Sequence, residues 1–391
     1  MLNTPFSPWP DYSKEESDAI SRVLLSNKVN YWTGTECRKF EKEFSEWADT
    51  KYAVALANGT LALDIALKAL GIGQGDDVIT TSRTFLATAS SIVNSGARPI
   101  FADVDLNSQN IDADTISRVM TPNTKAIVVV HLGGMPAEMD DIMTLAEENG
   151  LFVIEDCAQA HGAKYKGRSV GSIGHIGAWS FCQDKIMTTG GEGGMVTTND
   201  MLLWKRMWSY KDHGKDYDLV YNTEHSTGFR WLHNSFGTNW RMTEIQAVIG
   251  RIQLRRMNSW SERRASIANS LNDAVKGIKN VRLQKVPEYM SHAYYKHYMF
   301  VEPEHLKPNW TRDRIISEIS KQGVPCYHGS CSEVYLEKSF DGTGFRPRKR
   351  LRNAKQLGEV SLMFLVHPTL RNEEVSRAMS VIRGVLTKSQ L

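Results

Sequence analysis

The chain has 391 residues, of which 41% are hydrophobic and 23% charged, a composition typical of a globular protein of one or two domains with a large core. Its 47 basic and 44 acidic residues leave a formal charge of +3, too small and too dispersed to indicate a nucleic-acid or membrane surface. No apolar run approaches the roughly 20 residues that a membrane-spanning helix needs. Five cysteines without zinc-type spacing, and residues 1–20 without an apolar signal core, predict a cytoplasmic protein with no metal site.

From Tyr52 onwards, short apolar runs alternate with amphipathic helical patterns. Strands are predicted at 52–57, 77–81, 97–104, 125–132 and 151–156, and helices at 59–70, 85–96, 111–120 and 136–150. Continuously apolar strands separated by helices are typical of a mostly parallel sheet that helices cover on both faces. The sequence therefore predicts an α/β domain.

A long helical pattern at 242–257 marks a change in organisation, since mixed β and α segments follow it. We predict a large domain over residues 1–260, including an N-terminal arm, and a smaller domain over residues 261–391. The last four residues are predicted to be a frayed tail.

An acidic pair, Glu155 and Asp156, ends the predicted strand at 151–156. Open α/β sheets bind their ligands at the carboxyl ends of their strands. Asp156 has two interpretations on this pattern alone: it caps the next turn or pairs with an arginine, or it pairs with a ring nitrogen of a cofactor.

The turn Asn58-Gly59-Thr60 joins a strand to a helix whose first backbone N–H groups lack intrahelical acceptors. Such a helix start can bind phosphate, although Thr60 on its own is better explained as an ordinary capping residue. The chain has neither a GxGxxG nor a GxxxxGK[ST] pattern at this turn, which argues against a nucleotide-binding fold.

Lys185 lies between the strand-like run AWSF and the glycine-rich run GGEGG. A partly desolvated lysine on such a turn can form a Schiff base, whereas the ordinary interpretation is a solvated loop residue. The combination of Lys185 with Asp156 and the Gly59-Thr60 turn favours the first interpretation. An amine, a carboxylate and a phosphate site are the three anchors that pyridoxal 5'-phosphate requires.

Four longer stretches, at 58–63, 84–105, 154–196 and 237–254, resemble the DegT/DnrJ/EryC1/StrS sugar aminotransferases. The resemblance implies the aspartate-aminotransferase-like fold of type I pyridoxal-phosphate enzymes. It implies that Lys185 is the Schiff-base lysine and that the other cofactor contacts come from Gly59, Thr60, Phe85, Asp156, Gln159, Ser180 and Asn239. In this assignment Asp156 pairs with the ring nitrogen and Gln159 lies near the phenolic oxygen. Asn239 reaches the phosphate of a neighbouring subunit, which implies a homodimer with shared active sites.

The activity that the resemblance implies is a transfer of an amino group, with glutamate as the usual donor, to a keto sugar. A lysine at position 185, where related sugar dehydratases carry histidine, favours transamination over dehydration. A cofactor-binding regulator without turnover is a rival that the complete set of Lys185, Asp156 and Gln159 disfavours. Cysteine desulfuration is disfavoured because neither Cys326 nor Cys331 has neighbours that would lower a thiol pKa.

The substrate has two candidates. The family as a whole favours a nucleotide-linked keto sugar, but the segment 327–340 departs from the histidine-tyrosine-proline pattern of those enzymes. The resemblance also extends to enzymes that make 8-amino-3,8-dideoxy-manno-octulosonate for lipopolysaccharide, whose sugar acid needs a cationic site. Candidate substrate-binding residues are Arg83, His213, Arg230, Arg241 and His328. Arg83 is equally compatible with an exposed surface position.

Overall fold

The first half of the chain is built around one large sheet. The computed structural model describes residues 6–391, so residues 1–5 of the predicted large domain lie outside it. The strands of this half are β1 (Tyr52–Leu56), β2 (Asp77–Thr81), β3 (Arg98–Ala102), β4 (Thr124–Val130), β5 (Phe152–Asp156), β6 (Lys164–Tyr165), β7 (Arg168–Ser169), β8 (Ile176–Ser180) and β9 (Gly194–Thr198). Seven of them form a sheet in the order β1-β9-β8-β5-β4-β2-β3. β9 runs opposite to the other six strands of that sheet, which are parallel to one another, so the predicted mostly parallel α/β fold is confirmed.

Helices cover both faces of this sheet. Those of this part of the chain are α1 (Lys14–Leu25), α2 (Glu36–Trp47), α3 (Gly59–Ala69), α4 (Leu86–Asn94), α5 (Ala113–Ser117), α6 (Met139–Glu148), α7 (Met201–Lys211), α8 (Tyr217–Tyr221) and α9 (Glu244–Leu254). Successive residues of β4 point to opposite faces: Ile127 packs in one core with Ile142 of α6, and Val128 packs in another with Ile65 of α3. This two-sided burial is why the strands read as continuous apolar runs.

The long helix predicted at 242–257 is two helices. The Thr243 hydroxyl accepts a hydrogen bond from the Gln246 N–H and caps α9, which ends at Leu254. The next helix, α10 (Met257–Ala274), begins after a tight turn in which the Arg256 N–H donates to the Gln253 carbonyl. Residue 260 lies inside α10, so one helix runs through the predicted domain boundary, which stays a prediction.

A second, antiparallel sheet follows α10. The remaining elements are β10 (Val281–Leu283), β11 (Met290–Ser291), β12 (His297–Val301), α11 (Arg312–Lys321), β13 (Cys326–Tyr327), α12 (Arg352–Val360), β14 (Ser361–Phe364) and α13 (Asn372–Ser389), with short 3-10 turns at Leu132–Gly134, Pro303–His305, Val334–Leu336 and Lys338–Phe340. The second sheet has the order β10-β12-β14-β13, whereas β11 pairs with β6 of the first half. No helix within residues 6–391 combines the length and the apolarity that crossing a membrane demands.

Both ends of the described chain are anchored. The Asn280 side chain donates to the hydroxyl of buried Ser389 at 2.9 Å, and the Leu391 N–H donates to the His305 carbonyl, so the predicted fraying of the tail is wrong. At the other end, Ser7 donates two hydrogen bonds to Glu374 of α13. The arm formed by residues 6–10 thereby crosses to the second sheet's helices.

Candidate active site

Three turns of the large sheet meet at one edge. β1, β8 and β5 point in the same direction, because β1 and β8 are both antiparallel to β9 and β8 is parallel to β5. Their carboxyl ends carry the Asn58-Gly59-Thr60 turn, the loop with Lys185, and Asp156. The structure therefore gathers the three predicted anchors at the edge where open α/β sheets bind ligands.

The loop backbone holds Lys185 in place at both its N–H and its carbonyl. The N–H donates to the Cys182 carbonyl at 3.0 Å, and the carbonyl accepts from the indole N–H of Trp9 at 2.8 Å. The half-buried side chain places Nζ 5.1 Å from the ring centroid of Tyr295. Within residues 6–391 this amine forms no salt bridge, so its lone pair is available for chemistry once the proton is lost.

Asp156 is a buried acid that lacks a cationic partner at ion-pair distance among the described residues. Its carboxylate accepts hydrogen bonds from the Thr88 hydroxyl at 2.9 Å and from the Ala158 N–H at 3.1 Å. Burial nevertheless raises the pKa of this carboxyl above its usual range, because desolvation outweighs the two donors and the charge of Lys185. A protonated ring nitrogen is the kind of partner that would reverse this imbalance.

The start of α3 forms a close-fitting cradle. The cap is Asn58, whose side chain accepts from the Leu61 N–H at 3.0 Å, so the expectation that Thr60 is the capping residue is wrong; Thr60 is exposed in the first turn. A Cβ added to Gly59 would overlap Ser180, and one added to Gly194 would overlap the Asn58 carbonyl. The backbone thus approaches the end of β8 as closely as glycine permits, next to free N–H donors.

Phe85 and Gln159 flank this edge. Phe85 precedes α4 and leaves 71% of its surface exposed, so its ring is accessible to a ligand. Gln159 is buried, and its carbonyl oxygen accepts from the Gly133 N–H at 2.8 Å, which leaves the amide N–H groups for a ligand. An amine without an ion-pair partner, a buried acid, a tight glycine turn at a helix start and an accessible aromatic ring together fit pyridoxal phosphate.

Four of the five predicted substrate residues lie apart from one another, near the loop at 222–243 or beside the second sheet, whereas the fifth, Arg83, is buried. His213 and Arg230 are exposed, as is the side chain of Asn239. Arg241 donates to Asp212 at 2.7 Å, and its backbone pairs with Leu56 at the end of β1. His328 is exposed, and its Nε2 lies 3.3 Å from an Asp313 oxygen. The structure does not bring these side chains together in one chain.

Arg83 is fully buried, so its interpretation as a surface residue is wrong. Its guanidinium donates to the Gln109 side chain at 3.0 Å, to the Ser332 hydroxyl at 2.7 Å and to the Ser361 hydroxyl at 2.9 Å. These neutral acceptors occupy its donors and connect the large sheet with the second one. We therefore interpret Arg83 as a structural link rather than as a substrate ligand.

Sequence reasoning missed two buried cations beside Lys185. Lys296 is 8% exposed and places Nζ 4.6 Å from the Tyr295 ring centroid, while Arg264 is 1% exposed and stacks 5.1 Å from the Trp9 ring centroid. A signal was available, because Lys296 interrupts the apolar run AYYKHYMFV just before β12. A lysine in such a run is unusual enough to need an explanation.

A second buried cluster, formed by His131, Glu155 and Cys157, has the residue types of a metal site. Hydrogen bonds already occupy it: Glu155 accepts from the His131 ring at 3.0 Å and from three backbone N–H groups. The other ring nitrogen of His131 accepts from the Ala137 N–H at 3.1 Å. The network fixes the ends of β4 and β5 next to Asp156, and we propose no ion there.

Comparison with known proteins gives a consistent result. Residues 10–383 match the DegT/DnrJ/EryC1/StrS aminotransferase family. The chain is 61% identical to an aminotransferase of known X-ray structure from Psychrobacter cryohalolentis, with a TM-score of 0.97 over 98% of this chain and 100% of that one. It is 38% identical to a GDP-perosamine synthase of Caulobacter vibrioides over 89% of both chains. It is 31% identical to dTDP-3-amino-3,4,6-trideoxy-alpha-D-glucose transaminase of Streptomyces venezuelae over 94% of this chain and 91% of that one. The chain therefore belongs to the DegT/DnrJ/EryC1/StrS family of pyridoxal-phosphate-dependent sugar aminotransferases.

Proposed function

We propose that this enzyme moves an amino group from glutamate to the carbonyl carbon of an anionic keto sugar, with Lys185 and Asp156 as its central residues. The observation that carries this assignment is their placement at the adjoining ends of β8 and β5, beside the cradle at the start of α3. Gly59, Thr60 and Ser180 are the proposed phosphate ligands. Phe85 and Gln159 are the proposed contacts to the ring.

The chemistry divides between the cofactor and the chain. Pyridoxal phosphate, when bound, supplies an electron-withdrawing ring that makes the Cα proton of an amino donor acidic. Asp156 would hold a proton on the ring nitrogen, because a buried carboxylate with only two donors favours a cationic partner. Lys185 would anchor the cofactor through Nζ and, once displaced by the donor, take the proton from the donor's Cα.

The substrate proposed first is a nucleotide-linked keto sugar. Support comes from the printed names of two relatives above, which refer to GDP- and dTDP-linked sugars. The second candidate is the sugar acid that would give 8-amino-3,8-dideoxy-manno-octulosonate. It is favoured by the two buried cations beside Lys185, Arg264 and Lys296, since a carboxylate on the sugar itself would lie near the reacting carbon.

We also propose that two copies of the chain share their active sites. The loop at 222–243 exposes three large apolar side chains: Phe229 at 78%, Trp231 at 81% and Phe236 at 99%. The rings of Phe229 and Trp231 pack against each other with centroids 5.3 Å apart, and an exposed aromatic cluster of this kind is typical of an interface. A second copy seated on this loop would place the exposed Asn239 beside the partner's cofactor.

The test compares the wild type with Lys185→Ala, each supplied with pyridoxal phosphate, by visible absorption before and after glutamate. We expect the wild type to show a cofactor band that glutamate bleaches, whereas Lys185→Ala shows no covalent band. A keto-sugar panel that includes both candidates should then restore the band in the bleached wild type. A wild-type band that glutamate leaves unchanged would contradict glutamate as the donor. Covalent attachment of the cofactor to Lys185→Ala before glutamate is added would contradict the role of Lys185.

A further inference from the structure

Arg264 of α10 and Lys296 before β12 form a pair of buried cations that the proposed chemistry does not use; we call them the cation pair. Both are nearly inaccessible, with exposures of 1% and 8%. Charged side chains are almost never buried this deeply unless they are paired with an opposite charge.

The cation pair borders Lys185. The ammonium groups of Lys185 and Lys296 both lie over the Tyr295 ring, at 5.1 and 4.6 Å from its centroid. Arg264 is connected to the same loop through Trp9, whose ring it stacks on and whose indole N–H donates to the Lys185 carbonyl. Lys296 is also within electrostatic range of both Lys185 and Arg264, so the cation pair lies close to the loop that carries the reactive amine.

No counter-ion within residues 6–391 balances the pair. Arg264 donates to the Tyr294 carbonyl at 3.3 Å, but its Nε is buried without an acceptor. Asp184 is the acid whose charge raises the pKa of Lys296. Its carboxylate already accepts a hydrogen bond from the Tyr295 hydroxyl, and it forms a salt bridge with neither Lys296 nor Arg264. Burial lowers the pKa of Lys296 to about 8 and that of Arg264 to about 9, as expected for cations that nothing neutralises.

The neighbouring histidines are uncharged and therefore do not alter the charge balance. His367 lies on the Trp9 ring, with 6.0 Å between centroids, and burial together with Arg264 and Lys296 lowers its pKa to about 3. His161 has a pKa lowered to about 3 by burial and by the nearby Lys185. Both rings are neutral near pH 7, so the surroundings of the cation pair keep an excess of positive charge that an anion would offset.

We propose that Arg264 and Lys296 form a carboxylate-binding subsite beside the reactive amine. The proposal rests on the proposed function, because it assumes that the substrate reacts at Lys185. Two sources supply this chemistry: the carboxylate of the amino donor, which is bonded to the reacting Cα, and the carboxylate of a sugar acid. A charge-assisted hydrogen bond from each cation to one carboxylate would satisfy the free Nε of Arg264 and neutralise Lys296.

The test measures carboxylate binding without turnover. Glutarate, which has the two carboxylates of glutamate but no amine, is titrated calorimetrically into the cofactor-loaded wild type, Lys296→Gln, Lys296→Arg, Arg264→Gln and a control, Lys285→Gln. Lys285 is an exposed lysine elsewhere on the same half of the chain. We expect each glutamine variant of the cation pair to weaken glutarate binding by about 10- to 100-fold, and Lys296→Arg and the control to keep most of the affinity.

Glutarate binding by the wild type should also weaken above pH 8, because Lys296 then loses its proton. This measurement needs no variant. The charged and titratable groups around Lys296 are Asp184, Arg264, Lys185, Tyr295 and His367. The two half-reactions identify the source. A raised half-saturating glutamate concentration assigns the donor's carboxylate, and a raised half-saturating keto-sugar concentration assigns the sugar's.

The cofactor band separates this proposal from the proposed function. The subsite would be overturned if both glutamine variants kept the cofactor band and their affinity for glutarate, or if the wild type did not bind glutarate. Either result would leave the role of Lys185 intact. A wild type that never forms the band would instead contradict the proposed function.

Discussion

Replacing Lys296 by methionine should make the protein more stable. In the folded chain burial lowers the pKa of this lysine from 10.5 to about 8, so at pH 7 the fold must keep a charged group in a pocket that disfavours it. At 1.36 kcal/mol per pKa unit, the difference corresponds to about 3 kcal/mol, which Lys296→Met would recover. For a chain of this length the gain corresponds to a rise of about 4 °C in the unfolding midpoint.

The gain should depend on pH in a defined direction. Below pH 8 the amine is charged in both the folded and unfolded states, and the destabilisation by Lys296 is fully present. Between pH 8 and 10.5 the folded protein releases the proton while the unfolded chain keeps it, so the stability of the wild type rises relative to that of Lys296→Met. The advantage of the variant should fall to about 1 kcal/mol at pH 9.5.

The assay is denaturant unfolding at pH 7 and pH 9.5, with Lys211→Met as the matched contrast. Lys211 is also buried, but its Nζ lies 2.9 Å from a Glu41 oxygen. Removing it strands that carboxylate and should destabilise the protein by about 3 kcal/mol or more. A loss of stability in Lys296→Met at pH 7, or an equal gain at both pH values, would refute the idea that Lys296 is an uncompensated buried charge.

Three other predictions follow from single contacts. Gly59→Ala should weaken cofactor binding at least 10-fold in an absorbance titration, because the added Cβ would overlap Ser180 at the end of β8. The control Gly73→Ala should keep the wild-type affinity, since its Cβ would meet only an ordinary contact at 3.5 Å. Thr88→Val removes a 2.9 Å donor to Asp156 and should slow the glutamate half-reaction about 10-fold while the cofactor stays attached; an unchanged rate would argue against that hydrogen bond. Trp231→Ser should weaken self-association about 30-fold by analytical ultracentrifugation without loss of folding, and an unchanged sedimentation profile would contradict the dimer surface.

The large sheet could be predicted from the sequence because the apolar pattern of each strand matches the burial that the strand has in the fold. Buried parallel strands need Val and Ile on both faces, so β4 and β5 stand out as continuous apolar runs in the sequence itself. The break between α9 and α10 was not predictable in the same way, because the residues around Arg256 keep a helical pattern and the turn is set by tertiary packing. The tail was misjudged for a similar reason, since Ser389 is held by Asn280 from far away in the sequence.

The residues of the candidate site also divide into those that the sequence could predict and those that it could not. Lys185, Asp156 and Gly59 lie at or after the ends of recognisable strands, so strand-end position, the combined chemistry and the family resemblance could predict that they meet. Arg83 could not be placed, since its three acceptors lie 26 to 278 residues away along the chain. Arg264 had no local signal in α10, because burial of its helix face depends on the arm that carries Trp9.

The two unpaired charged groups of this site, Asp156 and Lys296, are both accounted for if the site binds a cofactor and a substrate. Burial raises the pKa of Asp156 and lowers that of Lys296, and each shift marks a charged group kept without its natural partner. A protein under selection for stability alone would replace such groups, as the Lys296→Met prediction illustrates. A cationic ring nitrogen at Asp156 and a carboxylate at Lys296 would remove both penalties at once. Under the two proposals above, Asp156 would mark the position of the cofactor's ring nitrogen and Lys296 that of the substrate's carboxylate.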